Sequence, residues 1–273
     1  MNALAAVARR FRAAVLVAVV VFVSAPPAFA GRPCTERKLT TQELAKSLEL
    51  AAHTLTALER SGAQAAVIAR AGQNLTEWGL RFSHIGIVYY DRDALDGRGA
   101  WRVVHKLNHC GSDRASLFRN GLGDFFGEDL YDYEAAIVTF APAPGAVLAT
   151  RLKDNFTVAR MHEVRYNMLA YPWATRYQQS NQWAIETLAF ALEPGATDRS
   201  RAQAWLRLRG YQPTTLHIDA LRRLGARMGS ANVAFDDHPP ERRFTDRIDT
   251  ITADSVLDWL MRSGLGLERL TVR

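Results

Sequence analysis

The sequence of 273 residues has only two cysteines and lacks the motifs that hold nucleotides or structural zinc. It contains no Walker phosphate-binding loop, no dinucleotide fingerprint and no paired Cys-x-x-Cys motif. After residue 30 it also lacks an apolar run long enough to span a membrane. These absences predict a chain with no cofactor, no bound metal and no integral membrane segment in its mature part.

The first thirty residues have the three zones of a secretory signal. Three arginines within residues 9–12 form a basic region, residues 13–25 form an apolar run, and small residues at 28 and 30 fit a cleavage site. The apolar run is shorter than the roughly 20 residues of a transmembrane helix. We therefore predict a signal peptide at 1–30, cleaved near Ala30-Gly31, and an exported, periplasmic chain.

The net charge of the chain is small once the signal is removed. The chain has 34 basic and 28 acidic residues, and the signal carries three of the arginines, so the excess of +6 falls to +3. A nucleic-acid-binding domain normally concentrates a larger positive charge on one face. The charge pattern therefore predicts no nucleic-acid partner.

The two cysteines, Cys34 and Cys110, both lie in the exported part. In a compartment where disulfides persist, two cysteines with no third competitor most simply form one bridge. Such a bridge would contribute a few kcal/mol by closing a long loop. The alternative leaves Cys110 as a free thiol beside His109, available as a nucleophile.

Apolar spacing and turn residues predict one α+β domain over 31–273, with an N-terminal helical arm and a C-terminal helical extension. Alternating and aromatic-rich runs predict strands at 82–90, 101–107 and 135–140, the first two forming a hairpin. Periodic runs predict helices at 40–61, 115–126, 147–156, 181–192, 199–208, 216–228 and 254–261.

His84 opens the first hairpin strand, and the neighbouring Gly86 indicates a close approach to the backbone. If residues 90 and 101 pair, positions across the hairpin sum to about 191, and His105 lies opposite Gly86 on the same face as His84. Two histidines so placed can serve as a general base and its orienting group. They can equally be ordinary sheet residues.

Four long strings resemble an uncharacterised family of exported bacterial proteins, domain of unknown function 2145. They are AGQNLTEWGLRFSHIGIVYYD, WRVVHKLNHCGSDRASLFRNGLGDFF, RYNMLAYPWATRYQQSNQWAIETLA and NVAFDDHPPERR. The resemblance covers nearly all of the mature chain. It implies no particular activity, because that family has none established.

A more distant resemblance is to the circularly permuted papain-like hydrolases, relatives of the NlpC-type cell-wall peptidases. It is carried by the Ser-His-x-Gly-Ile-Val strand, a second strand and a later helix introduced by Tyr-Asn. It implies a papain-like core in which a small antiparallel sheet packs against helices. His84 would be the catalytic histidine, His105 its orienting residue, and Ser180 would stand where that family has its nucleophilic cysteine.

Two functions follow from this second resemblance. A serine at a helix start can act as a nucleophile when a histidine takes its proton, or it can simply cap the helix. The chain is then either a hydrolase or acyltransferase acting on peptide, amide or acyl bonds, or a binding version that holds an unknown envelope peptide or protein. The residues implied to line the ligand site are Tyr166, Asn167, Asn181 and Gln182.

A third candidate site is the run Asp236-Asp237-His238. These side chains include metal-ligand types, but consecutive residues rarely converge on one ion without distant partners. A turn in which an aspartate accepts backbone N–H groups before Pro239 is the alternative.

Overall fold

A six-stranded antiparallel sheet forms the centre of the α+β fold in the computed structural model, which describes residues 38–95 and 97–273. Its strand order is β4-β3-β2-β1-β5-β8, and β6 and β7 form a separate two-stranded sheet. The strands are β1 (Ala65–Arg70), β2 (His84–Asp91), β3 (Ala100–Asn108), β4 (Ala115–Asn120), β5 (Ala135–Phe140), β6 (Thr214–His217), β7 (Arg247–Thr250) and β8 (Gly266–Val272).

Nine α-helices lie within the described part of the chain, and a short 3₁₀ helix spans Thr76–Trp78. They are α1 (Thr41–Ser61), α2 (Leu122–Phe126), α3 (Pro142–Arg151), α4 (Asn155–Arg160), α5 (Ser180–Leu192), α6 (Arg199–Leu208), α7 (Ala220–Gly229), α8 (Pro240–Arg243) and α9 (Ala253–Arg262). The longest, α1, begins at a capping box of Thr40 and Glu43 and ends at Gly62 in the left-handed conformation. Both are sequence-encoded end signals.

Helices cover both faces of the large sheet, because each face of its inner strands is apolar. Side chains at odd positions of β1 and β2, such as Val67 and Ile87, pack with α3, α5 and α9. Those at even positions, such as Ile68 and Val88, pack with α1 and α2. A residue's position along its strand therefore decides which helical layer it meets.

The entry to β2 is held by the start of α9. The backbone N–H groups of Arg81 and Phe82 donate to one carboxylate oxygen of Asp254, at 3.1 and 3.0 Å. These bonds satisfy two backbone N–H groups that lie before the start of β2 and pair with no neighbouring strand. The position of His84, two residues further on, therefore depends on this contact.

The predicted helix at 115–126 is wrong over its first half. Residues 115–120 form β4, which pairs with β3 so that Phe118 lies opposite His105, and only Leu122–Phe126 is helical. The free edge of β3 offers unpaired backbone groups, and pairing there outweighs a weak helical pattern.

Two further predicted helices need correction, and one strand was missed. The helix expected at 216–228 is a strand to residue 217 followed by α7, and the helix expected at 147–156 is two helices, α3 and α4. The C-terminal stretch beyond α9 was not predicted to be a strand, yet β8 pairs with β5. The predicted signal peptide lies outside the described residues.

A fully buried carboxylate, that of Glu186 on α5, ties α5 to α6 and to the chain before α5. It accepts from the guanidinium of Arg199 at 2.7 and 3.2 Å, from Gln178 at 2.5 Å and from Gln203 at 2.7 Å. Arg199 also donates to backbone carbonyls in the segment 174–177. Such a charge is tolerated inside a protein only while its partners remain in place.

We expect Arg199→Ala to lower the free energy of unfolding by about 3–5 kcal/mol, because it leaves the Glu186 carboxylate buried without its counter-charge. Arg201→Ala is the matched control, since that guanidinium is exposed, pairs with Asp198 and should contribute within about 1 kcal/mol. Urea unfolding followed by tryptophan fluorescence measures both. An Arg199→Ala protein as stable as the control would contradict this account of the network.

Candidate functional site

The imidazoles of His84 and His105 are in direct contact. His84 Nε2 and His105 Nδ1 are 3.0 Å apart, and the ring centroids are separated by 5.3 Å. The contact follows from the hairpin register, in which Tyr90 pairs with Trp101 and Ile87 with Val104. This is the predicted register, so the two histidines fall on one face of the sheet.

Gly86 is required by the side chains around it. A Cβ atom at this position would lie 2.5 Å from Val103 Cγ1 and 3.0 Å from Phe125 Cε2. The Phe125 ring of α2 packs on both imidazoles, with centroid separations of 5.8 Å to His84 and 5.3 Å to His105. The absence of a side chain at 86 therefore lets an aromatic ring seat against the histidine pair.

Both histidines are buried, with 8% of His84 and 1% of His105 exposed. Burial lowers the pKa of His84 well below its usual value, the positive charge of Arg70 lowers it further, and the nearby His105 ring disfavours a charge on both imidazoles at once. Burial, with a contribution from Arg70, lowers the pKa of His105 to about 3. The pair is consequently neutral at pH 7, with one hydrogen shared between the two facing nitrogens.

The unpartnered nitrogen of His105 favours one arrangement of the ring hydrogens. His105 Nε2 is buried and has no hydrogen-bond partner. A buried N–H without an acceptor is rarer than a buried acceptor without a donor. The favoured arrangement therefore has His105 Nδ1–H donating to His84 Nε2, which leaves the hydrogen of His84 on Nδ1. That nitrogen bonds to no described residue, so His84 presents an N–H donor.

Arg70 completes the group and was not predicted from the sequence. It lies opposite His84 in the β1–β2 register, its guanidinium sits 4.9 Å from the centre of the Phe125 ring, and it donates to the Phe125 carbonyl. Its Nη2 also lies 2.6 Å from the Glu128 carboxylate. We call His84, His105, Arg70, Phe125 and Glu128 the histidine site.

The structure places Ser180 on the other face of the sheet. Ser180 is the first residue of α5, and Gln179 rather than Ser180 caps the helix. Within the described residues no hydrogen bond joins Ser180 to either histidine. The partner of Ser180 is Tyr166. Burial raises the pKa of the Tyr166 phenol above its usual value, and hydrogen bonding with Ser180 offsets only part of that rise.

Asn181 connects the two sides. Its side-chain oxygen accepts from the Ile85 N–H at 3.0 Å, and its amide nitrogen lies 3.4 Å from the Ser83 carbonyl. The start of α5 is thus hydrogen-bonded to the residues immediately before and after His84. Asn181 holds the β2 backbone while the His84 side chain points to the opposite layer.

The other two residues predicted to bind ligand are hydrogen-bonded to loops. Asn167 donates to the Ala234 carbonyl at 2.9 Å and accepts from the Ala234 N–H at 3.1 Å. Gln182 donates to the carbonyls of Tyr171 and Pro172, each at 3.3 Å. Both side chains are fully buried. They position the segments around α5.

The remaining candidates have separate surroundings. Cys34 lies outside the described residues, and Cys110 lies in the turn after β3, so their bridge stays a prediction. The Asp237 carboxylate accepts from the Tyr171 N–H at 2.8 Å and faces His238 Nδ1 at 3.1 Å. No group of three or more His, Cys, Asp and Glu side chains that could hold a metal occurs in the described parts of the chain.

The fold and the site define an α+β protein with a neutral histidine pair on an antiparallel sheet covered by helices on both faces. The family described as an uncharacterized protein conserved in bacteria, domain of unknown function 2145, matches residues 57–260, and the chain belongs to it. Searches of curated proteins and of solved structures found no match. Between residues 38 and 273, leaving aside residue 96, no helix combines the length and apolarity needed to cross a membrane.

We expect acid to destabilise the wild-type protein more than His105→Asn. The pKa of His105 is about 3 when folded and about 6.5 when unfolded, so the unfolded chain binds more protons between these values and stability falls as pH falls. Between pH 7 and pH 5 the difference should be about 2 kcal/mol. Urea unfolding at several pH values measures it.

Phe118→Leu is the control, because it alters a ring beside His105 without removing the titrating group. It should keep the wild-type dependence on pH. If His105→Asn lost as much stability on acidification as the wild-type protein, His105 would not be held neutral.

Proposed function

We propose that this chain is an exported binding protein of the bacterial cell envelope that uses the histidine site to hold a ligand rather than to turn over a substrate. Export is supported by the basic, apolar and small-residue zones of the first thirty residues. Because disulfides persist outside the cytoplasm, we also propose that Cys34 and Cys110 form a disulfide bridge.

The observation that carries the binding proposal is the partner of His84. A general base needs a reacting group within hydrogen-bond reach of its free lone pair. The Nε2 atom of His84 instead faces His105 Nδ1, and in the favoured arrangement of ring hydrogens His84 Nδ1 is a donor. The hydroxyl of Ser180 interacts with Tyr166 in the layer of α5. This arrangement favours recognition of an acceptor atom on a ligand.

A hydrolase is the second candidate, and Asn181 is the observation in its favour. Asn181 brings the start of α5 against the backbone on both sides of His84. The order of a histidine strand, a second strand and a later helix also supports the likeness to permuted papain-like hydrolases. A movement of the His84 ring would be needed before Ser180 could give it a proton.

A serine-directed fluorophosphonate distinguishes the two candidates. We expect it to leave Ser180 unlabelled in the intact protein, because the hydroxyl has no base beside it. Peptide mapping by mass spectrometry reads the result. Labelling of Ser180 that disappears in His84→Phe but persists in Ser116→Ala would establish the hydrolase and end the binding proposal.

The same variants test the binding function in a bacterium that lacks the gene and shows an envelope defect. His84→Phe should fail to restore the wild-type phenotype, whereas Ser180→Ala should restore it. Labelling of Cys110 by iodoacetamide without reductant would identify Cys110, rather than Ser180, as the reactive group. Full restoration by His84→Phe would show that the histidine site is not the functional one.

A further inference from the structure

Building on the proposed binding function, we infer that the histidine site recognises a carboxylate group on its ligand, and that Glu128 is a competing carboxylate supplied by the protein itself. Charge and hydrogen-bond donors at one end of the sheet select the chemical group that is bound.

The first support is the sign of the charge. Arg70 is nearly inaccessible, with 4% of its side chain exposed, and it lies on the strand beside His84. It carries a full positive charge, whereas the two imidazoles next to it carry none. A buried arginine attracts anions strongly because solvent screens its field poorly, and its planar group suits carboxylates.

The second support is a ring nitrogen of His84 that bonds to no described residue. His84 is the more exposed of the two histidines, and its Nδ1 bonds to no described residue. With the hydrogen on Nδ1, the ring can donate to an oxygen of the ligand. An N–H donor next to a guanidinium favours an acceptor that is negatively charged over one that is neutral.

The third support is Glu128 itself. Its carboxylate lies 2.6 Å from Arg70 Nη2, yet 40% of its side chain is exposed. It follows α2 directly, so its backbone is anchored near Phe125 while its carboxylate reaches solvent. Because the Arg70 guanidinium is buried, it needs a counter-charge, and a ligand carboxylate that replaces Glu128 supplies the same one. The exchange therefore leaves the buried positive charge neutralised.

The test uses the full chain and a pair of probes that differ only at the C-terminal group, a carboxylate in N-acetylalanine and a neutral amide in N-acetylalaninamide. The carbon-bound ring protons of His84, assigned by comparison with His84→Gln, report binding by nuclear magnetic resonance. We expect the acid to shift them in a saturable way and the amide to leave them unchanged. Inorganic phosphate, titrated in parallel, should shift them less than the acid.

Glu128→Gln gives the sharpest expectation, because it should tighten binding of the acid. Removing a competing charge worth about 1 kcal/mol corresponds to roughly fivefold in affinity. Glu268→Gln is the matched control, since it removes the same charge from an exposed position on β8 and should have no effect. Arg70→Gln should weaken binding about tenfold or more, with circular dichroism confirming its fold.

The outcomes separate the carboxylate inference from the binding function. Equal binding of acid and amide would leave the binding function standing and overturn carboxylate recognition. Tighter binding of phosphate would overturn the carboxylate in favour of a phosphate group. No binding of any probe, or no effect of Glu128→Gln, would also overturn the inference, while complementation by His84→Phe judges the binding function independently.

Discussion

The register between β2 and β3 is the constraint on which the histidine site depends. A shift of one residue would send His84 and His105 to opposite faces of the sheet, because side chains alternate along a strand. The observed pairing of Tyr90 with Trp101 places both imidazoles on the face covered by α1 and α2. Gly86 lies two residues after His84 on β2, and its missing side chain makes room for Phe125.

The same alternation separates two polar groups that the sequence suggests belong together. His84 points toward α2, whereas Ser180, Tyr166 and the buried Lys106 belong to the layer of α5. Lys106 donates to the Glu163 carbonyl at 2.6 Å and to the Gln178 side chain at 2.8 Å, and burial lowers its pKa to about 7. These contacts fix the chain before α5.

Several features of the fold could be predicted because they are local. The hairpin, its register and helix α1 follow from alternation, turn residues and the capping signals at Thr40 and Gly62. Strand β4 could not, because its pairing depends on the free edge of β3 rather than on its own residues. The same holds for β8, which only pairing with β5 defines.

The contact between the two histidines was also predictable, because it depends on strand spacing alone. The face on which α5 packs was not, since a helix that follows a long connection can lie against either side of a sheet. Arg70 carried a weak signal, as a charged residue that ends an apolar strand. Its partners Phe125 and Glu128 are distant in sequence, and nothing local indicates that they meet it.

The hydrogen bond between the two neutral imidazoles is the central claim, and nitrogen magnetic resonance on ¹⁵N-histidine-labelled protein tests it most directly. At pH 7 we expect a scalar coupling across the hydrogen bond between His84 Nε2 and His105 Nδ1. The ring hydrogens should be on Nδ1 of both residues. A hydrogen on His84 Nε2, or no coupling between the two rings, would contradict the account and return His84 to the role of a base.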